Sequence, residues 1–586
     1  MVGTRPTILL VLAAVASATT GLHAEDAWNP FKQKDTRERA SSTRERALPQ
    51  QPPVNLDRGQ LAPLDAGSVS MERGDLPPVL ANDGSGLPME LWQGLDLPTI
   101  EEQVARLESL PRSRALHDLW RRLWTSTSGP PGGGQAESHF AALRIEAMYR
   151  AGLLAELGQV LGKTSGNAGP LLGALEARIR IGLNDRDRGC AAIRGVVAKV
   201  NELPKPIATE ALLISGYCAA AEGNQAAAGL AADLLRERQA GPSLGLATLD
   251  ALAAGAKPTF EVPRRVSVLD YRFLQLAGAG GGDMRSLLEK AEPALLAALA
   301  REESANPATR VAAAEAAARL DVIGGGALAD AYRGAASDAG QPADQPHSHA
   351  ARELRRAQLF NAAERERAPA AKARLFRDLL GDARREGLHV PVAEAIGRSL
   401  EEIPATPDLA WFAETAVETS LAAGRGGQAR RWAEVGRLRH WMALADIADP
   451  GPRGERGADL EEIAELARRG RLSGEFLQRL ATVLDALDFQ VPIDLWDAAN
   501  RTPQPAKGHL PETGVLSQLQ DAARKKEVGR SALLAMRTLG PDGAEGAHMI
   551  ALGDSIRALK RVGLDREARR LGFEALFASW PRAASH

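Results

Sequence analysis

The placement of two cysteines constrains the fold of this chain more than any other feature of its sequence. Cys190 and Cys218 are the only cysteines, and the midpoint between them falls in residues 203–206, Leu-Pro-Lys-Pro. This proline turn separates two segments in which apolar residues recur at three- and four-residue steps, the spacing typical of helices. If the two segments are antiparallel helices, the sulfur atoms face each other at the end of the hairpin far from the turn.

The first residues of the chain have the layout of a secretory signal peptide. Arg5 supplies a positive charge, residues 8–18 form a short apolar run, and residues 22–24 give a small-residue cleavage site after Ala24. The run is shorter than the roughly 20 apolar residues that span a bilayer. No cysteine lies near the cleavage site to carry a bacterial lipid anchor. We predict a periplasmic or otherwise exported protein without a lipid anchor, the alternative being a buried N-terminal helix of a cytosolic protein.

Export favours a structural disulfide between Cys190 and Cys218, because disulfides persist in oxidising compartments. Both cysteines are followed by two alanines, and such small neighbours permit the close helix approach that a disulfide requires. Two unpaired buried thiols and a redox-active pair are the alternatives. The second alternative lacks the Cys-x-x-Cys spacing that lowers the pKa of a thiol.

The composition of the 586-residue chain favours helices and argues against nucleic acid as a partner. Alanine, leucine, arginine and glutamate are abundant, and all four are good helix formers. The formal net charge is −2, whereas binding to phosphate groups needs a concentrated basic surface. Aromatic residues make up only 4% of the chain, so few are available to stack on bases or sugars.

Helical spacing of apolar residues continues through most of the chain after residue 88. The clearest windows are 139–151, 170–182, 188–202, 207–221, 226–238, 352–364, 371–386, 391–402, 408–423, 427–442, 458–469, 473–488, 513–535, 545–561 and 564–579. Glycines stand at the joints between windows, namely Gly152, Gly182, Gly223, Gly424, Gly470 and Gly563. A helix pair cannot bury its apolar face alone, so a series of pairs has to stack. We therefore predict an all-α fold, an irregular α-solenoid of stacked antiparallel helical hairpins.

Three of these joints share the pattern Gly-x-x-x-x-Ala. They are Gly223 to Ala228, Gly424 to Ala429, and Gly563 to Ala568. In this pattern the chain resembles the tetratricopeptide family, in which glycine closes the turn and alanine lets two helices approach. The resemblance implies a tetratricopeptide-like solenoid that holds partner chains in a curved groove. It also implies a non-enzymatic periplasmic protein-interaction scaffold in envelope assembly or coordination, whose partners are other envelope proteins or peptides.

The chain divides into five predicted regions. Residues 1–24 form the signal peptide, and residues 25–88 are a polar, proline-rich tether that we expect to be disordered. Residues 89–333 and 351–586 form the two helical-repeat halves, separated by a flexible break at 334–350. No segment after signal cleavage is apolar enough for a transmembrane span.

No motif in the sequence predicts a catalytic, cofactor-binding or metal-binding residue, and we do not expect an enzyme. Residues 241–245 spell Gly-x-Ser-x-Gly, but the nucleophile elbow of esterases needs a preceding strand, and a charged helical segment precedes this one. Glu414 and Glu418 share a helix face and could serve as acid and base in glycan cleavage. An envelope glycan-cleaving enzyme, a lyase or hydrolase on a helical frame, is therefore the alternative function.

The densest cluster of basic and aromatic residues is a candidate patch for binding an acidic partner, because tryptophan and arginine are common binding anchors. Its members are Arg430, Arg431, Trp432, Arg437, Arg439 and Trp441. The alternative is that the tryptophans belong to the core and the arginines around them are solvated.

Overall fold

The computed structural model describes residues 80, 83–107, 110–131, 137–163, 169–257, 263–278, 284–337, 349–449 and 460–582. The predicted signal peptide with its cleavage site after Ala24 lies outside the described residues, as do almost all of the tether and residues 338–348 of the predicted break. The described residues form 28 α-helices and no β-strand, so the predicted all-α class is confirmed. Among those helices, none combines the length and the hydropathy that crossing a bilayer requires.

The helices are short and follow one another closely. Those in the first part of the chain are α1 Leu97–Arg106, α2 Arg114–Thr125, α3 Glu137–Arg150, α4 Leu154–Lys163, α5 Pro170–Gly182, α6 Arg186–Val197, α7 Lys205–Ala221, α8 Gln225–Glu237, α9 Leu244–Ala253, α10 Val268–Leu276, α11 Met284–Glu289, α12 Pro293–Leu299, α13 Pro307–Arg319 and α14 Gly325–Ser337. Those in the second part are α15 His349–Arg365, α16 Pro369–Arg385, α17 His389–Ile396, α18 Ala413–Ala422, α19 Gly426–Gly436, α20 Arg439–Ala448, α21 Glu461–Arg468, α22 Gly474–Ala486, α23 Ile493–Asn500, α24 Val515–Arg524, α25 Val528–Leu539, α26 Gly543–Gly546, α27 Met549–Arg561 and α28 Asp565–Phe577. Short 3-10 segments at Val200–Glu202, Ser399–Glu402 and Pro407–Phe412 extend three of the turns.

Glycine closes several joints for the reason that the sequence suggests. The φ values of three of these glycines are positive, a conformation that residues with a side chain disfavour. They are 77° at Gly223, 71° at Gly424 and 87° at Gly563. The alanine five residues after each of these glycines is buried, as Ala228 is after Gly223. Gly182 differs, because it is the last residue of α5 and the left-handed turn falls on Asn184 instead.

Two predicted windows are each divided into two helices. The window 427–442 breaks at Arg437 with φ of 54°, and the window 513–535 breaks at Lys526 with φ of 60°. Each break ends one helix and starts the next within a few residues. Hydrophobic spacing alone could not place these breaks, because the apolar residues stay in step across them.

Most helices pack on their neighbours in the chain. Contacts between consecutive helices run from α2 to α10 and again from α12 to α21. The two series are connected through α10, which packs on α5, α9 and α12. The apolar faces merge into one continuous buried cluster that extends from Leu87 to Trp580.

The beginning of the helical array packs against its end. Helix α1 contacts α25, and α2 contacts both α25 and α28. Backbone hydrogen bonds cross this junction: the amide of Gly529 donates to the Leu91 carbonyl at 3.0 Å, and the amide of Arg112 donates to the Pro541 carbonyl at 2.8 Å. We call this contact between the two ends of the array the closure.

Helix α28 lies at the centre of the closure. It packs on α2 from the first part of the chain and on α20, α22, α26 and α27 from the second. Arg570 on this helix also donates to the carbonyls of Leu421 and Ala422, at 3.3 and 2.8 Å. The last helix of the described array therefore packs on its first helices and on its middle at once.

Candidate functional site

A cleft of about 890 Å³ lies where α2 and α28 meet the middle of the chain. We call it the arginine cleft, after the arginines of these two helices that line it: Arg114, Arg121, Arg122, Arg566, Arg569 and Arg570. Its remaining walls come from the starts of α14 and α19, from Glu394 on α17 and from Asp449 after α20. The cleft exists only because the closure brings α2 and α28 together.

Carboxylates hold the arginines of α2 in place. Arg114 lies 3.4 Å from Asp118 and 3.8 Å from Glu394, and Arg122 lies 2.5 Å from Glu567. Burial works against the charge of Arg114, but attraction to Glu394 and Asp118 outweighs it and raises the pKa of this guanidinium. Arg114 therefore stays charged, and its ion pairs fix its position in the cleft.

The arginines of α28 are less fully paired than those of α2. Arg566 is exposed and makes no ion pair with any described residue. Arg569 stacks its guanidinium over Phe489 at 5.4 Å, and its Nη1 is buried without a hydrogen-bond partner among the described residues. Nη1 of Arg114, on the α2 side of the cleft, is also buried without a hydrogen-bond partner among the described residues. The cleft thus keeps guanidinium donors that its own carboxylates do not satisfy.

Helix dipoles add to the positive potential of the arginine cleft. Helices α14, α19 and α28 all begin at its wall. Neither α19 nor α28 has a side chain that caps its first amides. Unpaired amides at a helix N-terminus attract anions, and glycines such as Gly424 and Gly426 leave the backbone open to approach. Charge and backbone donors both favour an anionic ligand in this cleft.

A second cleft of about 790 Å³ lies between α3, α5, α7 and the segment before α12. We call it the carboxylate cleft, because Glu146, Glu210 and Glu292 line it together with one buried arginine, Arg178. Arg178 pairs with Glu146, lies 3.3 Å from Glu210, and stacks over the ring of Tyr149 at 4.1 Å. Burial raises the pKa of Glu210 and of Glu292.

The candidate partner patch is divided between core and surface. Trp432 and Trp441 are fully buried, and Arg430 pairs with Asp446 at 2.7 Å. The other arginines, Arg431, Arg437 and Arg439, are exposed. A partner on this face would therefore meet arginines but not the tryptophan rings, so the expected aromatic anchors are absent from it.

The cysteines lie where the sequence places them. Cys190 on α6 and Cys218 on α7 have Cα atoms 5.7 Å apart and are at disulfide-bonding distance. The two helices pack along their length on either side of the turn at residues 203–206. Neither cysteine lines either cleft.

Glu414 and Glu418 do not form a free acid–base pair. Glu418 is buried and binds Arg384 and Arg582, while Glu414 accepts a hydrogen bond from the Trp441 indole at 3.1 Å. Neither glutamate lines either cleft. In the described part of the chain, no group of three His, Cys, Asp or Glu side chains could hold a metal ion.

Comparison with protein families, with curated proteins and with solved structures finds no match for this chain.

Sequence reasoning missed both clefts. The arginines of the arginine cleft come from two helices separated by about 440 residues, and no local pattern connects them. The sequence of α2 did hold a signal, because Arg121 and Arg122 follow Arg114 by seven and eight residues and so lie on the same side of the helix. Its meaning depends on what α2 packs against.

Proposed function

We propose that this protein is a non-enzymatic, exported scaffold that binds an acidic segment of another envelope protein in the arginine cleft. The observation that carries the proposal is the unsatisfied guanidinium donors and uncapped helix starts that meet in one cleft. Carboxylate side chains are the anions that a protein partner offers, and arginine binds them with paired hydrogen bonds.

The scaffold part of the proposal rests on the arrangement of the helices. Consecutive helices pack in series, and left-handed glycines close the joints at Gly223, Gly424 and Gly563. These features support a tetratricopeptide-like α-solenoid, although the Gly-x-x-x-x-Ala pattern does not recur at a fixed spacing. The cleft and not the fold supports the proposed function, since one fold serves many functions. Periplasmic location is proposed from the N-terminal sequence alone.

The charge of the cleft favours binding with a strong salt dependence. Six arginines line it, against the five carboxylates of Asp118, Glu394, Asp449, Asp565 and Glu567. The surplus is small, so a highly charged polyanion has no special advantage over a short acidic peptide. Exposed ion pairs weaken as salt screens them, and a partner held by Arg566 and Arg569 should dissociate at raised ionic strength.

Site-specific crosslinking in intact cells tests the proposal. A photoreactive amino acid is placed at position 566 in the cleft and, as a matched control, at Arg194, an exposed arginine on α6 without a described partner. We expect a discrete adduct from position 566 and none of the same size from position 194. The adduct should disappear when Arg569 is changed to Glu, and when a hexaglutamate peptide is added to permeabilised cells.

Two outcomes would count against this function. One is an absence of adducts at position 566 beyond those at position 194. The other is an adduct that survives both Arg569→Glu and the hexaglutamate peptide, since that partner would not be held by charge.

The alternative function, glycan cleavage, has weaker support. Its candidate pair, Glu414 and Glu418, is occupied by structural contacts, and Trp411 and Trp496, the partly exposed tryptophans of the described chain, line neither cleft. The carboxylate cleft is lined by four glutamates, Glu146, Glu210, Glu289 and Glu292, so incubation with purified murein separates the two functions. We expect no release of soluble fragments, whereas release that is lost in Glu292→Gln would favour the enzyme.

A further inference from the structure

We propose that the carboxylate of Glu394 occupies the place in the arginine cleft where a carboxylate of the acidic partner binds, and that this residue competes with the partner. The inference rests on the proposed function and deepens it by locating one binding subsite within the cleft. Glu394 lies on α17 and lines the cleft. It therefore sets the affinity that the cleft has for an acidic segment.

Two arginines from the two ends of the array converge on one oxygen of Glu394. Its Oε1 lies 3.8 Å from Nε of Arg114 on α2 and 4.0 Å from Nη2 of Arg570 on α28. The two guanidinium groups are thus within reach of a single point, where one oxyanion interacts with both. Arginine suits carboxylates well, because its planar group donates paired hydrogen bonds.

The other oxygen of Glu394 meets the start of α14. Oε2 accepts a hydrogen bond from the amide of Gly325, the first residue of this helix, at 3.2 Å. A side chain at Gly325 would collide with Glu394, so glycine is what permits this approach. Amides in the first turn of a helix have no partner within the helix and favour anions. One carboxylate thus contacts two guanidinium groups and a helix-start amide, which are the donors that an acidic partner would use.

The contacts of Glu394 with the two arginines are looser than the ion pair between Arg122 and Glu567 in the same cleft. Distances of 3.8 and 4.0 Å exceed the length of a hydrogen bond, whereas Arg122 lies 2.5 Å from Glu567. The side chain of Glu394 is 17% exposed, so solvent reaches it. A long and partly solvated ion pair contributes less free energy than a short one, and an external carboxylate displaces it more readily.

Both arginines keep other partners when Glu394 leaves. Arg114 still has Asp118 at 3.4 Å. Arg570 still donates to two backbone carbonyls at the end of α18, at 3.3 and 2.8 Å. The subsite is therefore preformed, and displacement of Glu394 exchanges an internal carboxylate for an external one.

Competition with Glu394 favours segments with several carboxylates over single anions. A lone carboxylate only replaces the contacts that Glu394 already makes, and it loses translational freedom on binding. A longer acidic segment has further partners in Arg566 and Arg569, which line the same cleft and make no ion pair with any described residue. Linked contacts of this kind add affinity without a second loss of translational freedom.

Isothermal titration calorimetry on the full chain tests the inference, with hexaglutamate as the probe. The natural chain is compared with Glu394→Gln, which removes the charge, and with Glu394→Ala, which also vacates the place. We expect each variant to bind hexaglutamate more tightly than the natural chain does, by about fivefold or more, because the competing carboxylate is gone.

Two further variants separate the place of Glu394 from the general charge of the chain. Asp565→Asn removes a charge from an exposed position of the same cleft, where the aspartate has no ion-pair partner among the described residues, and should give a smaller gain than Glu394→Gln. Glu237→Gln, at an exposed position on α8 outside the cleft, is the matched control and should change the affinity less than twofold. Thermal melting of each variant shows that it is folded, and Glu394→Ala keeps the test valid if Glu394→Gln is not.

The inference is overturned if neither Glu394 variant binds hexaglutamate more tightly than the natural chain, or if Asp565→Asn gains as much as they do. In the first case Glu394 is only a structural bridge between helices, and an adduct at position 566 would leave the proposed function standing. Absence of binding in every one of these chains would overturn the inference and would count against the proposed function as well.

Discussion

Glu315 and Arg356 show what burial demands of single charged residues in this fold. Their side chains are 1% and 2% exposed, and Nε of Arg356 donates to Glu315 at 2.7 Å. The Tyr332 hydroxyl donates to the same carboxylate at 2.9 Å, and Asp382 lies 3.1 Å from Arg356. Every charged atom of this network has a partner, so removing one partner leaves a buried charge uncompensated.

The first prediction concerns that network. Arg356→Met should lower the free energy of unfolding by about 3 kcal/mol, because Glu315 would stay buried without its guanidinium. The matched control is Arg285→Met, which breaks the exposed pair Arg285–Glu289 and should cost less than about 0.5 kcal/mol. Chemical denaturation of both variants measures the difference. Equal losses in the two variants would show that Arg356 is not in a buried network.

Asp321 carries the second prediction, which is a dependence of stability on pH. Burial, with repulsion from Glu574, raises the pKa of Asp321 from 3.8 to about 8. The folded protein therefore binds one more proton than the unfolded chain between these values, so this residue lowers stability as pH rises from about 4 to about 8. Asp321→Asn removes that dependence, and asparagine tolerates the left-handed φ of 56° at this position.

Denaturation at two pH values checks the effect of Asp321→Asn. At pH 9 the variant should be more stable than the natural chain by roughly 1 to 3 kcal/mol. At pH 4, where the aspartate is protonated, the two should agree. An equal difference at both pH values would mean that Asp321 ionises normally in the folded state.

At the scale of the helix, the local sequence predicts that a helix is present better than it predicts where that helix begins and ends. Ser267 and Asp270 form the capping box that starts α10, as a serine three residues before an acidic residue indicates. The breaks at Arg437 and Lys526 were not predictable in this way, because both residues adopt left-handed backbone without being glycine. Packing against neighbouring helices overrides the local preference there.

The helix pair α6–α7 gives the third prediction. The predicted disulfide between Cys190 and Cys218, which lie at disulfide-bonding distance, closes a loop with a sequence separation of 28 residues. Removing the constraint on the unfolded chain should lower the free energy of unfolding by about 3 to 4 kcal/mol. Denaturation with and without dithiothreitol measures this loss in the natural chain.

A cysteine-free variant is the control for the disulfide. Cys190→Ala with Cys218→Ala should show the lower stability without reductant and no further change when reductant is added. If dithiothreitol destabilises this variant as much as the natural chain, the effect does not come from the disulfide.

One close backbone approach within the closure, that of Gly529 to Leu91, supplies the fourth prediction. A methyl group on Gly529 would lie 2.7 Å from the Leu91 carbonyl oxygen and 3.0 Å from Trp92. Gly529→Ala should therefore destabilise the protein by about 1 to 3 kcal/mol through overpacking. Gly381→Ala, at an exposed and open position of α16, should instead stabilise it by up to about 1 kcal/mol. Thermal melting of both variants measures these changes in stability. A Gly529→Ala variant that is as stable as the natural chain or more stable would contradict the packing at α25.

At the scale of the whole molecule, the sequence predicts the helices but not their closure. Cysteine spacing, glycine joints and apolar periodicity are local or nearly local signals, and the all-α class follows from them. The contact of α2 with α28 joins residues more than 400 positions apart, and no periodic pattern encodes it. The arginine cleft is a product of that contact, so it was missed together with the closure.

The most direct test of the closure is a double-mutant cycle on Arg122 and Glu567, which lie 2.5 Å apart on α2 and α28. The free energy of unfolding is measured for the natural chain, Arg122→Met, Glu567→Gln and the double variant. If the two ends of the array meet, the losses are not additive, and the coupling energy should be about 1 kcal/mol or more. Losses that add to within about 0.3 kcal/mol would mean that the helices do not touch, and the arginine cleft would not exist.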